Sequence, residues 1–340
     1  MKTGKKGDGM SQKWGVMAVF GAWALCGVCA TSPFEGAWCL TSPEGGAVWM
    51  KVALTNGAPA VSSMWEIGGV DRAQRASFEG EALVVVRPYE RWLMTAKGMR
   101  RETLGTDTLR ATVAGDAMTV AVDRVLKDGT ALPRKTMAGK RSRPLPPRPD
   151  LAALRFGEPI SLFNGTSLDG WRVTHPGVVN AWSARDGLLV NSPALEEGEN
   201  PRQFGNLRTE REFEDFRLTL QVRLPKGGNS GIYLRGRYEV QVTDAFGRPP
   251  SWGGIGGVYS RIVPLENAAK PAGEWQEFDI VLADRHVTVR LNGRLVIDNQ
   301  PLEGCTGGAL DADDAKPGPI YFQGDHTSVE YRNILLYPRL

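Results

Sequence analysis

Apolar and polar residues alternate along much of the second half of the chain, and this period of two is typical of half-buried β-strands. The clearest run is Phe216-Arg217-Leu218-Thr219-Leu220-Gln221-Val222-Arg223-Leu224. A hairpin is predicted over residues 287–297, because Asn292-Gly293 supplies the two positive φ angles of a type I′ turn. No apolar period of 3.6 residues persists over a helix length from residue 160 onward. Residues 159–340 are therefore predicted to form an antiparallel two-sheet β-sandwich.

The first half of the chain carries shorter strand patterns. Residues 47–54 and 82–86 are alternating or apolar, and pairs such as Asn56-Gly57 separate them as tight turns. Residues 33–140 are predicted to form a small all-β domain, either a barrel or a sandwich, because closure removes exposed strand edges. Its role is not readable from the sequence. Residues 141–158, rich in proline and arginine, are predicted to be an extended linker between the two domains.

The first thirty residues have a different composition. Four lysines precede an uncharged stretch over residues 14–30 that ends Val28-Cys29-Ala30. A basic head, an apolar middle and small residues at the end are typical of a secretory signal peptide, here residues 1–30. The alternative is a membrane anchor, but 17 residues with three glycines are short for a span of about 20. We therefore expect a secreted or periplasmic protein without a stable membrane span.

Removal of that segment changes the charge balance. The chain has 41 Lys and Arg against 38 Asp and Glu, and residues 1–30 hold four of these bases and one of the acids. The rest of the chain is near neutral and shows no basic stripe, so nucleic acid is not an expected partner.

Two cysteines, Cys39 and Cys305, lie outside residues 1–30. They could pair in an oxidising compartment or stay as two buried thiols.

Several short motifs stand in order along residues 159–340. They are Ser161-Leu162-Phe163-Asn164-Gly165, Leu168-Asp169-Gly170-Trp171, Gly228-Asn229-Ser230-Gly231-Ile232-Tyr233-Leu234-Arg235, Tyr238-Glu239-Val240-Gln241, Pro319-Ile320-Tyr321-Phe322-Gln323-Gly324-Asp325-His326 and Tyr331-Arg332-Asn333-Ile334. Together they resemble the 3-keto-disaccharide hydrolase domain family. The resemblance implies a concanavalin A-like lectin/glucanase jelly roll and action on oxidised glycosides in exported bacterial proteins. Thr327 departs from the family, which usually has glycine after the histidine.

Polar side chains recur on one face of the strands within these motifs. Alternation puts Tyr233 and Arg235 on the same face of one strand, and Glu239 and Gln241 on one face of the next. Such groups suit sugar hydroxyls, which need paired donors and acceptors once water is displaced. The candidate substrate-binding residues are Asn229, Tyr233, Arg235, Gln241, Trp252, Tyr259, Gln323 and Asp325, and the catalytic candidates are Glu239 and His326. The alternative is a solvated face with cross-strand ion pairs such as Arg237 with Glu239.

The carboxylate pattern bears on the reaction. Ordinary glycoside hydrolases use two carboxylates about 5 to 9 Å apart, but here Gln241 stands where a second same-face carboxylate would be. A 3-keto sugar offers another route, since its ketone acidifies the C2 proton. A base removes that proton, the C1 leaving group departs by elimination, and water adds back. Glu239 is the candidate base, Arg235 the donor to the enolate oxygen, and His326 the acid or a metal ligand.

Two classes of function stay open at this point. The first is an exported enzyme, hydrolase or lyase, that cleaves 3-keto-glycosides, and the second is a non-catalytic carbohydrate-binding protein on the same sandwich. A glycoside or oligosaccharide is the expected partner in both. No motif fixes a cofactor, and a divalent metal ion is left open, although the acidic run at residues 311–314 lacks the rest of a calcium loop. Trp252 either stacks on a sugar or anchors its own loop.

Overall fold

A computed structural model of the protein describes residues 32–95, 98–193 and 204–340, so the predicted signal peptide at residues 1–30 lies outside the described residues. Within these ranges the regular elements are β-strands, and no helix is long and apolar enough to cross a membrane. The strands are β1 (Gly36–Thr41), β2 (Ala47–Thr55), β3 (Ala58–Trp65), β4 (Val70–Arg72), β5 (Arg75–Glu79), β6 (Ala82–Thr95), β7 (Gly98–Ala114), β8 (Ala117–Leu126), β9 (Lys135–Arg141), β10 (Ile160–Ser161), β11 (Trp171–Val173), β12 (Trp182–Arg185), β13 (Leu188–Asn191), β14 (Leu207–Thr209), β15 (Phe216–Arg223), β16 (Asn229–Leu234), β17 (Tyr238–Thr243), β18 (Gln276–Ala283), β19 (His286–Leu291), β20 (Arg294–Pro301), β21 (Tyr321–Phe322) and β22 (Val329–Pro338). The all-β prediction is confirmed.

The first nine strands form one antiparallel sheet that closes on itself. Its order is β4-β3-β2-β1-β9-β8-β7-β6-β5, so the two end strands are consecutive in the chain. Between them, the N–H of Ala73 donates to the carbonyl of Val61 in β3, and the N–H of Gln74 donates to Val86 in β6. This short segment joins the two ends of the sheet. The result is a barrel with a core of its own.

Residues 160–338 form an antiparallel two-sheet sandwich, as predicted. One sheet has the order β12-β13-β22-β15-β18-β19-β20, with β10 paired to β22, and the other has the order β11-β14-β21-β16-β17. Apolar side chains from both sheets, such as Leu218, Ile232, Val240 and Phe278, meet in one core. In β15 the apolar positions are buried and the polar ones are half-buried, which is the alternation read from the sequence.

Strands β16 and β17 are buried on both faces. Their apolar residues face the core, and loops from elsewhere in the chain cover the opposite face. The N–H of Tyr259 donates to the carbonyl of Glu239, and the hydroxyl of Tyr233 donates to Gly307. The polar residues of these strands therefore lie in an enclosed space. The alternative of a solvated outer face is wrong for this sheet.

The barrel and the sandwich belong to one compact unit, Pro33–Leu340. The segment that joins them is extended and bonds to the sandwich. Arg285 donates to the carbonyl of Arg143 at 2.9 Å and pairs with Asp314 at 2.6 Å, and Asn299 donates to the carbonyl of Pro149 at 2.9 Å. Residues of the predicted linker are thus held against the second domain by hydrogen bonds.

The two cysteines outside residues 1–30 are buried free thiols. They lie in a small apolar cluster that also includes Trp49 and Met64. Burial raises the pKa of Cys39 to about 11 and that of Cys305 to about 12, because a thiolate would lose its hydration there. Of the two alternatives left open by the sequence, the structure has the unpaired thiols.

Candidate active site

Three neighbouring strands of the five-stranded sheet, β21, β16 and β17, carry polar residues predicted for the site. Tyr233 lies opposite Glu239 on one side and opposite Tyr321 on the other. These three side chains therefore form one row on the same face of the sheet. Ile232 and Val240 point the other way, into the core. The predicted alternation of Tyr233 and Glu239 with core residues is present in both strands.

A glycine makes room for the carboxyl group of Glu239. Gly231 lies two residues before Tyr233 on β16 and therefore on the same face. A Cβ atom placed on Gly231 would lie 2.3 Å from Oε1 of Glu239, far closer than real contacts allow. The carboxyl group thus lies in the space that any larger residue at position 231 would fill. Only 3% of Glu239 is exposed to solvent.

Two glutamine amides flank Gly231. Gln241 lies opposite it on β17, and the N–H of Gln323 donates to its carbonyl at 3.0 Å from the other side. The Oε1 atoms of both glutamines are buried and have no hydrogen-bond partner among the described residues. Leaving such an acceptor unpaired costs about 1–3 kcal/mol, so buried amides are normally satisfied. Two unpaired acceptors beside one carboxyl group are suited to the hydroxyl groups of a ligand.

The two tyrosines of the row are held rigidly. The rings of Tyr233 and Tyr321 stack with centroids 3.9 Å apart and planes 11° from parallel. Their hydroxyls donate to the carbonyls of Gly307 and Gly308, at 2.7 and 2.6 Å. A Cβ on Gly308 would lie 2.6 Å from the hydroxyl oxygen of Tyr233. The loop that carries Gly307 and Gly308 can therefore approach the tyrosines only with glycine at position 308, and its carbonyls hold both hydroxyl groups in place.

The carboxyl group of Glu239 has an unusual acidity. Burial raises its pKa to about 8, because the enclosed site removes the water that would solvate the charge. The nearby hydroxyl of Tyr233 and the charge of His326 favour the ionised form, while the charge of Asp325 opposes it. A carboxyl group that titrates near neutral pH is a frequent property of a catalytic acid or base.

Asp325 and His326 lie in the turn after β21. Nδ1 of the histidine is 2.7 Å from Oδ1 of Asp325, and both side chains are partly exposed. The turn is anchored by two asparagines: Asn191 donates to the carbonyl of Gly324 at 2.9 Å, and Asn206 accepts from the N–H of Gly324 at 2.7 Å. The electrostatic effect of both residues on Glu239 places this pair beside the row.

Thr327, which differs from the glycine usual in the family, has a structural role in that turn. Its hydroxyl accepts a hydrogen bond from the N–H of Asn229 at 2.8 Å and donates to the carbonyl of Asn229 at 3.0 Å. This double contact ties the turn to the start of β16. Asn229 therefore contributes its backbone to the site's framework.

Arg235 does not lie on the polar face, and its predicted position was wrong. Strand β16 ends at Leu234, and Arg235 and Gly236 form a two-residue turn with φ angles of 54° and 66°. A turn with two positive φ angles takes its residues out of the strand alternation. The guanidinium group donates to the carbonyls of Asp314 and Lys316. Arg235 thus supports a neighbouring loop and is not in position to donate to an enolate at Glu239.

The ion pair suggested between Arg237 and Glu239 is also absent. The acidic run at residues 311–314 is instead neutralised by bases. The pairs are Arg237–Asp311 at 2.9 Å, Lys140–Asp313 at 2.8 Å and Arg285–Asp314 at 2.6 Å. In the part of the chain that the structure describes, no three His, Cys, Asp or Glu side chains come together as possible metal ligands.

Trp252 and Tyr259 lie on the loop that covers the outer edge of β17. This loop extends the sheet, since the N–H of Gln241 donates to the carbonyl of Gly257 at 2.9 Å. Trp252 is 47% exposed and meets the ring of Tyr259 edge to face at 5.2 Å. Burial and the negative charge of Glu239 raise the pKa of Tyr259. Two aromatic side chains thus stand at the rim of the site.

The residues that hold the site from outside the three strands could not be predicted from the sequence. Gly307, Gly308, Asn191 and Asn206 belong to loops and strand ends far from the polar motifs in sequence. None stands in a recognisable motif. Tyr321 differs from these residues, because its alternation with Gln323 places it on the polar face from the sequence alone.

The chain thus contains an antiparallel β-sandwich that carries a buried carboxyl group, two stacked tyrosines and two unpaired amides on one sheet. The chain belongs to the 3-keto-alpha-glucoside-1,2-lyase-like domain family, whose profile matches residues 158–336. This match confirms the family resemblance seen in the motifs.

Individual relatives are more distant. A 3-keto-disaccharide hydrolase of Bacteroides thetaiotaomicron is 25% identical over 150 residues, which are 36% of this chain and 52% of that protein. The chain thus spans about half the length of this relative. A crystal structure assigned to the glycosyl hydrolases, from Parabacteroides distasonis ATCC 8503, is 27% identical and covers 58% of this chain and 93% of its own, with a TM-score of 0.43. A β-1,3-1,4-glucanase from a mouse hindgut metagenome is 10% identical and covers 49% of this chain and 92% of its own, with a TM-score of 0.31.

Proposed function

We propose that the protein is an enzyme that cleaves 3-keto-glycosides, with Glu239 as the general base. The observation that carries this proposal is the carboxyl group of Glu239, buried above Gly231 with its pKa raised to about 8. A base of that pKa is stronger than an exposed carboxylate and is still ionised in about a tenth of molecules at pH 7. Family membership and the name of the Bacteroides thetaiotaomicron relative support the 3-keto substrate.

The reaction divides into two steps. In the first, the Glu239 carboxylate takes the proton from C2, and the electrons of that bond form an enolate with the C3 ketone. The enolate then expels the leaving group from C1, and His326 gives that oxygen a proton. In the second step, water adds across the C1–C2 double bond and yields the free 3-keto sugar.

Other residues of the site have roles that their contacts support. The unpaired amide oxygens of Gln241 and Gln323 would accept from sugar hydroxyls. Asp325, whose Oδ1 is 2.7 Å from Nδ1 of His326, would orient the imidazole ring. Tyr259 and Trp252 would contact the sugar from the rim.

Turnover of a 3-keto-glucoside by the parent and by Glu239→Gln tests the proposal. The swap is nearly isosteric, so we expect the fold to persist and kcat to fall by about 10²- to 10⁴-fold, the usual contribution of a positioned base. With Glu239 as the base and His326 as the acid, kcat/KM should rise with pH as Glu239 loses its proton and fall again where His326 no longer carries one, and Glu239→Gln should lack the rising limb. Glu330→Gln is the matched control, because Glu330 pairs with Arg223 on the other sheet. Normal turnover by Glu239→Gln would remove this residue from the mechanism.

The second candidate is a non-catalytic carbohydrate-binding protein. The half-exposed ring of Trp252 and the unpaired glutamine amides would serve binding without chemistry. Calorimetric titration with 3-keto and unoxidised glucosides separates the two. Binding by the parent protein without any turnover would favour the second candidate, whereas turnover that Glu239→Gln abolishes without loss of binding would favour the enzyme.

We also propose that the protein is exported to the periplasm or secreted. The basic and apolar composition of residues 1–30 supports this. Sequencing the N-terminus of the secreted or periplasmic protein should give a start near Thr31. Recovery of protein from the membrane fraction with Met1 intact would point to an anchored form instead.

A further inference from the structure

The N-terminal barrel touches the loops that carry the site. The N–H of Gly308, next to the carbonyl that holds Tyr233, donates to the carbonyl of Glu66 at 2.7 Å. A second contact joins β4 to the rim loop, because the N–H of Val70 donates to Oγ of Ser260 at 2.7 Å. The barrel is therefore bonded to both loops that enclose Glu239.

An ion pair of the barrel, Asp71 with Arg101, lies next to the contact between Val70 and Ser260. Asp71 comes after Val70, and Tyr259 comes before Ser260, so both lie one residue, or 3.8 Å along the chain, from the bonded pair. The carboxylate of Asp71 binds Arg101 of β7 at 2.8 Å, and Arg101 also contacts Glu90 at 3.3 Å. The charges of Asp71 and Arg101 act on the hydroxyl of Tyr259 in opposite directions. The pair therefore lies beside the tyrosine at the rim.

Both side chains of this pair are partly exposed to solvent. About 56% of the Asp71 side chain and 33% of the Arg101 side chain are exposed. A carboxylate that accepts and a guanidinium that donates offer complementary hydrogen bonds to neighbouring hydroxyl groups. Trp252 and Tyr259 add aromatic surface next to them. The rim therefore combines an acceptor, a donor and two rings on one side of Glu239.

We propose that Asp71 and Arg101 of the barrel form a subsite that binds the hydroxyl groups of a second sugar unit, beyond the unit held at Glu239. This inference rests on the proposed function. The substrate class it names is a 3-keto-disaccharide or longer glycoside. The barrel thus sets the length of substrate that the sandwich accepts.

Steady-state kinetics on two substrates test the subsite. Methyl 3-keto-glucoside has one sugar unit and a 3-keto-disaccharide has two. We expect Asp71→Ala to raise KM for the disaccharide about tenfold, the loss of one charge-assisted hydrogen bond, and to change KM for the methyl glycoside less than twofold. Arg101→Ala should behave alike. Both residues are partly exposed, so the variants should fold, which thermal unfolding checks.

Arg110→Ala is the matched control. Arg110 is on the same strand, about 30 Å away at nine residues' distance, and forms a similar exposed ion pair with Glu79 at 2.7 Å. We expect it to leave both KM values unchanged. Equal effects of Asp71→Ala on the two substrates, or no effect on either, would overturn the subsite.

A separate readout distinguishes this inference from the proposed function. If the parent turns over neither substrate, the proposed reaction fails, and calorimetric affinities for gluco-oligosaccharides of one, two and three units decide the subsite. A gain in affinity from one unit to two that Asp71→Ala abolishes would support it. The same gain in both proteins, or no binding by the parent at any length, would overturn it.

Discussion

Replacement of Glu239 by glutamine should make the protein more stable, and the gain should grow with pH. The buried carboxyl group has its pKa raised from 4.5 to about 8 in the folded protein. Between these two values the unfolded chain is ionised while the folded protein must hold the proton, so ionisation favours unfolding. A salt-bridged acid, whose pKa is lowered by folding, makes the protein more stable as the pH rises, and Glu239 has the opposite effect. Stability is highest below pH 4.5 with respect to this group and declines up to about pH 8.

The size of the effect follows from the shift. Each pKa unit corresponds to about 1.4 kcal/mol, so a displacement of about 3.5 units amounts to about 5 kcal/mol once the pH exceeds 8. At pH 7 the ionisation of this group already lowers the free energy of unfolding by about 3 kcal/mol. Glutamine has nearly the same shape and cannot ionise, so Glu239→Gln should escape this loss. A gain of that size is large against the usual total stability of about 5–15 kcal/mol.

Urea unfolding of both proteins between pH 5 and pH 9 measures the difference. We expect the free energies of unfolding to converge towards pH 5 and to separate by several kcal/mol at pH 9, with Glu330→Gln following the parent across the range. Curves for Glu239→Gln and the parent that stay parallel would refute the raised pKa. The base assignment would then lose its physical support, whatever the activity of the variant.

Three further substitutions probe the row and the core. Tyr233→Phe removes the hydroxyl group whose dipole favours the ionised carboxylate of Glu239, so the lower inflection of kcat/KM against pH should move upward and activity at pH 7 should fall about three- to tenfold. An unmoved inflection would show that this hydroxyl does not act on Glu239. Gly231→Ala puts a Cβ atom 2.3 Å from Oε1 of Glu239, and we expect kcat/KM to drop by about 10²-fold with about 1–3 kcal/mol lost in urea unfolding, whereas normal activity would contradict the geometry. Val240→Ala opens a cavity in a fully buried position on the opposite face, so unfolding should be easier by roughly 2 kcal/mol while kcat of the folded protein stays near normal.

Much of the sandwich could be predicted from the sequence, because a strand's period of two decides which residues meet the core. The same period placed Tyr233 with Glu239 and Gln241 correctly on one face. It misplaced Arg235, since alternation cannot show where a strand ends. Gly236 was the available signal: a glycine between two polar residues marks a two-residue hairpin turn, and such a turn also takes the residue before it out of the strand.

The enclosure of the site could not be predicted. Gly307 and Gly308 hold the tyrosine hydroxyls, and Ser260 binds the barrel, yet each comes from a loop with no motif. Such contacts depend on how two domains pack, and the sequence shows only that a polar face exists. The face was therefore equally compatible with a sugar site and with ordinary solvated ion pairs.

The acidity of Glu239 arises from this packing more than from the strand that carries the residue. On an uncovered sheet face, water would solvate the carboxylate, and its pKa would lie near the ordinary value. Here the rim loop bonds to Glu239 itself, the loop at residues 306–308 covers the tyrosine row, and the barrel bonds to both loops. The barrel, which lies outside the residues of the family match, thus helps to hold the loops that keep water from the carboxyl group of Glu239. The barrel therefore contributes to the raised pKa of Glu239, although the residues proposed for catalysis all lie in the sandwich.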